Sequence, residues 1–211
     1  KGIAGMRAPV KFAMITLIGL GLGWFFYSKL GVHAIHVPFA GAWEVGVWII
    51  PIFAFAVVAT GNAVNITDGL DGLAGGLASS AFFAYAVIAI LDQQFGLAGF
   101  CFTMLGALVS YLWFNIYPAR FFMGDVGAFA LGCSLAVVAM LTDTLFVLPL
   151  IGLVFVMETL SVIIQLASKR IRHKKIFKSA PVHHHLEASG WPETKVTMRF
   201  WLIGAVCAVA G

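Results

Sequence analysis

The amino-acid sequence predicts an all-α membrane protein, a bundle of helices that crosses a lipid bilayer several times. Of its 211 residues, 61% are hydrophobic and only 10% are charged, and the mean hydropathy is +0.99. A soluble domain of this length would carry far more charge. Uncharged runs near the length needed to cross a bilayer, about 20 residues, recur along the chain. We therefore expect residues 1–211 to form one integral membrane domain.

Six of these apolar runs are predicted to span the membrane, and a seventh begins near the end of the chain. The stretch Leu30–Ala42, between the first two runs, is expected to form a short external hairpin or a re-entrant turn. The predicted spans are Phe12–Tyr27, Val45–Ala59, Leu73–Leu91, Leu97–Phe114, Val126–Leu141, Leu145–Ala167 and Met198 onward.

The basic residues are divided unevenly between the two sides of these spans. Only Lys29 falls on one side, and the other side collects the remaining lysines and arginines. Because basic loops stay in the cytoplasm, the basic side is predicted to be cytoplasmic. The pI near 9.1 then reflects membrane orientation, and no nucleic-acid partner is expected. The basic side holds Lys1, Arg7, Lys11, Arg120, Lys169, Arg170, Arg172, Lys174, Lys175, Lys178, Lys195 and Arg199.

The cysteines and the chain ends carry less information. Cys101, Cys133 and Cys207 all lie in apolar runs, so we expect them to pack in the interior and not to form a disulfide framework. The chain opens without methionine and stops inside an apolar run too short to span. We expect it to be a piece of a longer protein that has further spans before it and the rest of the last span after it.

A ladder of polar side chains follows the second span. Asn62, Asn65, Asp68 and Asp71 are spaced three residues apart within the segment 61–76. On a helix or a tighter 3₁₀ turn, this spacing brings neighbouring members together on one side. Glycines between the two aspartates and after them allow the backbone to turn or to approach a ligand closely. Two carboxylates and two amides beside apolar runs require a cationic or hydrogen-bonding partner.

A second polar loop precedes the fifth span and ends at Asp125. Taken alone, an acidic residue at this position is explained equally well as a helix N-cap. However, Asp68, Asp71 and Asp125 are all predicted at the same membrane face, and Mg²⁺ prefers one or two carboxylates together with substrate phosphates. In the same loop, Phe121 and Phe122 are either interfacial anchors or a wall on which a flat ring stacks.

A third polar segment contains three consecutive histidines, His183 to His185, followed by Glu187. Successive residues of a helix or strand point in different directions, so one rigid element cannot aim all three rings at one metal. We interpret them as hydrogen-bonding groups near a phosphate-bearing substrate. The basic run before them serves membrane orientation and is also able to contact anionic lipid headgroups.

Two polar residues are predicted inside the sixth span. Glu158 and Gln165 are seven residues apart and therefore share one helix face. An ionisable residue within a span suggests a functional site, although a deep, neutral Glu158 that serves helix packing fits equally well. Gln165 lies nearer the cytoplasmic end and is better placed to reach a ligand.

Three motifs in this order resemble one known family over essentially the whole chain. They are NAVNITDGLDGLA from Asn62, FMGDVG from Phe122 and PVHHHLE from Pro181. The chain is similar to the bacterial phospho-N-acetylmuramoyl-pentapeptide transferases, which belong to the polyprenyl-phosphate N-acetylhexosamine-1-phosphate transferase superfamily. The spacing of the histidine motif separates this family from its relatives that transfer N-acetylglucosamine phosphate.

The resemblance implies transfer of phospho-MurNAc-pentapeptide from UDP-MurNAc-pentapeptide to undecaprenyl phosphate, forming lipid I and UMP with Mg²⁺. It also implies a ten-span, dimeric protein of the bacterial inner membrane, in contact with membrane lipids, with its active site in a cytoplasmic cleft. By motif, the metal ligands are Asp125 and Asn65, and the catalytic residues are Asp68, Asp71, Asp125 and His184. The implied substrate-binding residues are Asn62, Asn65, Gly69, Leu70, Asn115, Phe122, Gln165, His183, His184 and His185.

One feature of that family has no match here, because no Asp-Asp pair occurs in the 211 residues. The family holds this pair on an earlier cytoplasmic loop, so we expect the 211 residues alone to be inactive. The main alternative is a UDP-GlcNAc:polyprenyl-phosphate GlcNAc-1-phosphate transferase. A cation-coupled transporter is a further alternative, although its polar residues would be expected midway through spans. An intramembrane metalloprotease would require ligand spacing that the sequence lacks.

Overall fold

The structure, a computed structural model, describes residues 8–211 and is almost entirely helical. Lys1 and Arg7, which we assigned to the basic face, lie outside the described residues. The helices are α1 (Ala8–Ser28), α2 (Ile49–Thr67), α3 (Leu73–Leu91), α4 (Phe95–Asn115), α5 (Gly124–Leu141), α6 (Leu148–Ile151), α7 (Leu153–Arg172), α8 (Val182–Glu187) and α9 (Glu193–Ala210).

Five helices of the described residues, α1 to α5, are long and apolar enough to cross a membrane. The predicted all-α membrane architecture is therefore confirmed. The predicted sixth span, Leu145–Ala167, is not one continuous helix, because the chain breaks at Gly152 between α6 and α7. Helix α7 contains Glu158 and ends in a basic turn, so it is amphipathic. The predicted seventh span also differs, since α9 begins at Glu193, just after Pro192.

Helix α2 continues well past its predicted end at Ala59. The side-chain amide of Asn62 donates a hydrogen bond to the carbonyl of Val58, and the hydroxyl of Thr67 donates to the carbonyl of Ala63. Because these polar groups find partners on the helix itself, they do not interrupt it. The first half of the polar ladder therefore lies on α2, and only the aspartates lie beyond it. In contrast, α3 begins and ends where the sequence predicts.

A short hairpin connects α1 to α2, as one of the two sequence interpretations of Leu30–Ala42 predicts. Strands β1 (Ala34–Val37) and β2 (Gly41–Glu44) pair in antiparallel register. The backbone N–H of His36 donates to a carboxylate oxygen of Asp143 over 3.1 Å. The hairpin therefore lies at the same end of the bundle as the connection between α5 and α6.

Glycines allow the helices to cross closely. Gly19 and Gly23 form a Gly-x-x-x-Gly pair on α1, and a Cβ atom on either would lie 2.9 Å from a Cα atom of α2. On α5, a Cβ atom at Gly132 would lie 2.7 Å from the Cα atom of Gly61. Small residues at such crossings let helix backbones pack directly, as is typical of membrane helices.

We expect Gly132→Ala to lower the stability of the helix bundle by about 1–3 kcal/mol, because its new methyl group meets backbone atoms that cannot rotate away. The measurement is the thermal unfolding midpoint in detergent. Gly106→Ala is the matched control, since a Cβ atom there meets no heavy atom within 4 Å. Equal midpoints for both variants would show that α2 and α5 are not in tight contact.

The loops sort into two ends of the bundle as the charge pattern predicts. At one end, the side chain of Gln94 donates to the carbonyl of Leu141, close to the hairpin contact with Asp143. At the other end, the connection between α2 and α3 contacts both the segment before α5 and the start of α9. The polar segments singled out in the sequence all belong to this second end, which we call the polar end.

Candidate functional site

The turn from Asp68 to Gly72 connects α2 to α3 and lies at the centre of the polar end. Its glycine Gly72 has φ of +76°, a conformation that favours glycine. The N–H of Gly72 donates to the side-chain oxygen of Asn115 over 3.0 Å. A carboxylate oxygen of Asp71 accepts a hydrogen bond from the N–H of Ala119 over 2.9 Å. The segment before α5 thus holds this turn from one side.

Helix α9 holds the same turn from the other side. The N–H of Asp71 donates to a carboxylate oxygen of Glu193 over 2.7 Å, and the indole N–H of Trp201 donates to the carbonyl of Gly72 over 3.1 Å. Glu193 and Trp201 were missed by the sequence analysis. The only local signal is that an acidic residue opens a helix, which gives no information about a contact with a residue 122 positions away.

Two predicted site residues therefore serve to hold the turn. Asn115 is 3% exposed, and its side-chain N–H₂ donates to the carbonyl of Phe121 while its oxygen accepts from Gly72. The carboxylate of Asp71 is likewise engaged by a backbone N–H. These contacts position the turn; whether either side chain also contacts a substrate stays a prediction.

Asp125 connects three helices at the polar end. It lies in the first turn of α5, and its side chain is 49% exposed. One carboxylate oxygen accepts a hydrogen bond from the side-chain N–H₂ of Asn65 over 2.9 Å, and the other pairs with the ammonium group of Lys11. The interpretation of Asp125 as a helix cap is therefore wrong, because its carboxylate contacts α1 and α2 and not its own helix.

Asp68 is the second acidic group near this position. It is half-buried, and its carboxylate accepts no hydrogen bond from the described residues. Burial, and then the negative charge of Asp125, raise the pKa of Asp68 above the ordinary value of an aspartate. The two carboxylates are thus close enough to repel each other. A site with this charge distribution attracts a cation.

The residues at this position fit Mg²⁺. Magnesium takes oxygen ligands, commonly one or two carboxylates, and completes its shell with water and substrate phosphates. Asp125 would supply a carboxylate oxygen, and the nearby charge of Asp68 adds to the attraction for a cation. The side-chain N–H₂ of Asn65 bonds to Asp125, so the carbonyl oxygen of Asn65 is the atom of that side chain able to bind a metal. In the part of the chain that the structure describes, no three acidic, histidine or cysteine side chains form a closed metal cage.

The three histidines of α8 point to three different environments, as the geometry of one helix requires. His183 is buried, and its Nδ1 is 2.9 Å from a carboxylate oxygen of Glu158. The ring of His184 is half-exposed, and its Nδ1 is 2.7 Å from a carboxylate oxygen of Glu187. His185 accepts a hydrogen bond from the backbone N–H of Lys178. Of the three, His184 is therefore the most available to a ligand.

The histidine segment contacts the polar turn through one glycine. A Cβ atom at Gly69 would lie 2.5 Å from Nε2 of His183, so only glycine fits there without displacing the imidazole. This contact brings the first and third sequence motifs together. The Asn65 contact with Asp125 brings the first and second together.

The side-chain amide of Gln165 is bonded to the chain that follows α7, at the wall of a small cavity. It is 4% exposed; its side-chain oxygen accepts from the N–H groups of Ile176 and Phe177, and its N–H₂ donates to the carbonyl of Phe177. Its predicted contact with a ligand remains untested. A cavity of about 180 Å³ beside it is lined by basic side chains and no carboxylate, which suits a phosphate-bearing group. The basic residues of this cavity are Lys169, Lys175 and Lys178.

The remaining predicted residues divide into buried and exposed groups. Leu70 is part of the hydrophobic core, and Asn62 bonds to its own helix. Phe121 packs edge-on against Tyr111. The ring of Phe122, by contrast, is 72% exposed and is free to stack on a flat ligand.

Lys11 was assigned in the sequence only to membrane orientation, yet it pairs with Asp125. Its side chain is only 23% exposed, so the pair is partly shielded from solvent. A single lysine at the start of an apolar run gives no indication of a partner 114 residues away. Its position beside the carboxylate of Asp125 adds a positive charge to the site.

Comparisons with known proteins agree with these motifs. A sequence model of glycosyl transferase family 4 matches residues 3–143. The chain is 47% identical over 220 residues to the phospho-N-acetylmuramoyl-pentapeptide-transferase of Chloroflexus aggregans, which covers 98% of this chain and 60% of the relative. It is 49% identical over 185 residues to the same-named protein of Chloroflexus aurantiacus, covering 84% of this chain and 50% of the relative.

A third relative, from a different genus, carries the same name. The phospho-N-acetylmuramoyl-pentapeptide-transferase of Levilactobacillus brevis is 43% identical over 207 residues, covering 98% of this chain and 64% of the relative. The chain thus spans between half and about two thirds of the length of these curated relatives.

Proposed function

Because the chain belongs to glycosyl transferase family 4, we propose that it is part of an enzyme that transfers phospho-MurNAc-pentapeptide from UDP-MurNAc-pentapeptide to undecaprenyl phosphate. The products are lipid I and UMP, and the reaction is the first membrane step of peptidoglycan synthesis. The observation that carries the proposal is the meeting of Asp125, Asn65 and Lys11 at the end of the bundle that holds Asp68. The shared name of the relatives supports this choice of substrates.

We place the protein in the bacterial inner membrane with the polar end toward the cytoplasm. The excess of lysine and arginine at this end supports that orientation. A membrane location also suits the acceptor, whose polyprenyl tail remains in the bilayer. The proposal includes a homodimer, for which the family resemblance is the support.

Mg²⁺ is the proposed cofactor, and Asp125 with the side-chain oxygen of Asn65 would hold it, which leaves the carboxylate of Asp68 for proton transfer. When bound, it neutralises the negative charge that develops on the diphosphate. Lys11 is a positive charge beside the carboxylate of Asp125, so it attracts the phosphates of both substrates. Preorganised charge of this kind contributes much of the rate in phosphoryl transfer.

Asp68 is the proposed general base. An oxygen of the lipid phosphate forms a new bond to the phosphorus next to the sugar, and the bond from that phosphorus to UMP breaks. Asp68 accepts the proton of the attacking phosphate, a role favoured by its raised pKa. His184, held by Glu187 through Nδ1, offers its other ring nitrogen to a phosphate oxygen. Phe122 offers an exposed face to the uracil ring.

The test is a radiolabelled assay on the complete protein, reconstituted with undecaprenyl phosphate and Mg²⁺. We expect UDP-MurNAc-pentapeptide to be converted to lipid I with release of UMP. Consumption of UDP-GlcNAc in its place would assign the protein to the other branch of the superfamily. Cation-driven flux in proteoliposomes without release of UMP would favour a transporter and contradict the proposal.

A further inference from the structure

A buried carboxylate and a buried imidazole meet between α7 and α8. Glu158 and His183 have side-chain exposures of 0% and 1%. One carboxylate oxygen of Glu158 accepts a hydrogen bond from the backbone N–H of His183 over 3.2 Å, and the other lies 2.9 Å from its Nδ1. Glu158 therefore holds both the main chain and the ring of the same residue.

These contacts specify where the ring carries its proton. One oxygen of Glu158 already accepts from the backbone N–H of His183, and the arrangement is satisfied on both sides when Nδ1 of His183 is the N–H that donates to the other oxygen. The opposite nitrogen, Nε2, is buried and has no hydrogen-bond partner among residues 8–211. An unpaired N–H at that position would be costly in the interior, which favours a neutral ring with a lone pair at Nε2.

The ring so fixed lies against two parts of the proposed site. On one side Nε2 faces Gly69, the residue after Asp68, at a separation that leaves no room for a side chain. On the other side the ring contacts His184, with 4.2 Å between the ring centroids. A change in the position of His183 would therefore move the Asp68–Gly72 turn and His184 together.

We propose that Glu158 is a positioning residue for the transfer reaction: it fixes the tautomer and orientation of His183 and thereby holds His184 and the Asp68–Gly72 turn in register. The part of the inference that concerns catalysis rests on the proposed function. The part that concerns the tautomer of His183 does not. Glu158 has no lysine or arginine partner among the described residues, and a buried acid in an apolar helix stabilises a fold poorly. We therefore ascribe to Glu158 a role in positioning His183 and not in stabilising the fold.

Glu158→Gln in the complete protein is the first test. The glutamine oxygen still accepts from the backbone N–H of His183, but its N–H₂ then faces Nδ1 and favours the Nε2–H tautomer. We expect the ¹⁵N signals of His183 to change accordingly, with assignment from a His183→Gln spectrum. We also expect kcat to fall about 10- to 100-fold with little change in KM for the nucleotide substrate.

Thr159→Val is the matched control for this test. Thr159 is the next residue of α7, and its hydroxyl bonds only to the carbonyl of Phe155 within the same helix. We expect this variant to keep the wild-type kcat and the wild-type signals of His183. In Glu158→Gln, an unchanged tautomer of His183 or an unchanged kcat would overturn the inference.

Gly69→Ala provides a second route that does not depend on the folding of Glu158 variants. Its methyl group would lie 2.5 Å from Nε2 of His183, so we expect a lower unfolding midpoint and a lower kcat. Adding His183→Ala to Gly69→Ala removes the clash but leaves the buried Glu158 without its ring partner, so kcat should stay low. Recovery of kcat in the double variant would show that the ring position is immaterial.

Failure of this inference and failure of the proposed function are distinguishable. The tautomer is measured without substrate, so a switch in Glu158→Gln shows that Glu158 fixes the ring of His183 whatever the reaction is. A wild-type protein that forms no lipid I would contradict the proposed function alone. An active wild type with a fully active Glu158→Gln would contradict the inference alone.

Discussion

Asp125→Asn is expected to lower the rate of lipid I formation by about a thousandfold and to raise the Mg²⁺ concentration needed for activity. The substitution removes the one carboxylate that contacts both Asn65 and Lys11. An asparagine oxygen still accepts the hydrogen bond from Asn65, so the helices should remain in place. The loss therefore reports on charge at the site, and the measurement is kcat as a function of Mg²⁺ concentration.

Asp92→Asn is the matched control for this prediction. Asp92 is an exposed aspartate that follows α3, at the opposite end of the bundle. It should lose no activity, which would show that removal of a surface carboxylate has no general effect. Full activity of Asp125→Asn with unchanged dependence on Mg²⁺ would refute the assignment of Asp125 as a metal ligand.

The fold was predictable where hydrophobicity alone decides it. The first five spans follow from uncharged runs near the length of a bilayer crossing, and all five occur as helices. The end of α2 was not predictable, because Asn65 is tolerated on the helix through its contact with Asp125 on α5. The break at Gly152 was also missed, since a glycine within an apolar run is compatible with a continuous span.

The sequence predicted which residues belong to the candidate site but not which of their side chains contact each other. The sequence placed Asp68, Asp71 and Asp125 at one membrane face because each follows or precedes a span. It did not predict that Lys11 pairs with Asp125 or that Glu193 holds Asp71, since these contacts join residues more than 100 positions apart. Side-chain pairing of this kind depends on how helices pack, which local spacing does not encode.

The structure also separates residues that the sequence treats as equals. Asp68 and Asp71 are members of one ladder with the same spacing. Yet the carboxylate of Asp71 is bonded to the N–H of Ala119, whereas that of Asp68 accepts no hydrogen bond within the described part of the chain. One aspartate therefore supports the backbone, and the other is available for chemistry.

This difference predicts opposite effects for Asp68→Ala and Asp71→Ala. The raised pKa of Asp68 means that the folded state favours the protonated carboxyl. The corresponding stability is present at low pH and is lost as the pH rises through the raised pKa, so an ionised Asp68 destabilises the fold at pH 7. Asp68→Ala should therefore keep or slightly raise the unfolding midpoint at pH 7, while kcat falls about 10²- to 10⁴-fold.

Asp71→Ala should instead lower the unfolding midpoint at pH 7. It leaves the N–H of the partly buried Ala119 without its acceptor, a loss of about 1–2 kcal/mol, or roughly 2–8 °C for a chain of this size. Activity should fall with the displaced turn, and it should recover in part at low temperature. Thermal unfolding at pH 7 and near pH 4, combined with kcat, distinguishes the two aspartates. A lower midpoint with unchanged kcat for Asp68→Ala would contradict its role as the general base, because it would make Asp68 another structural residue of the turn.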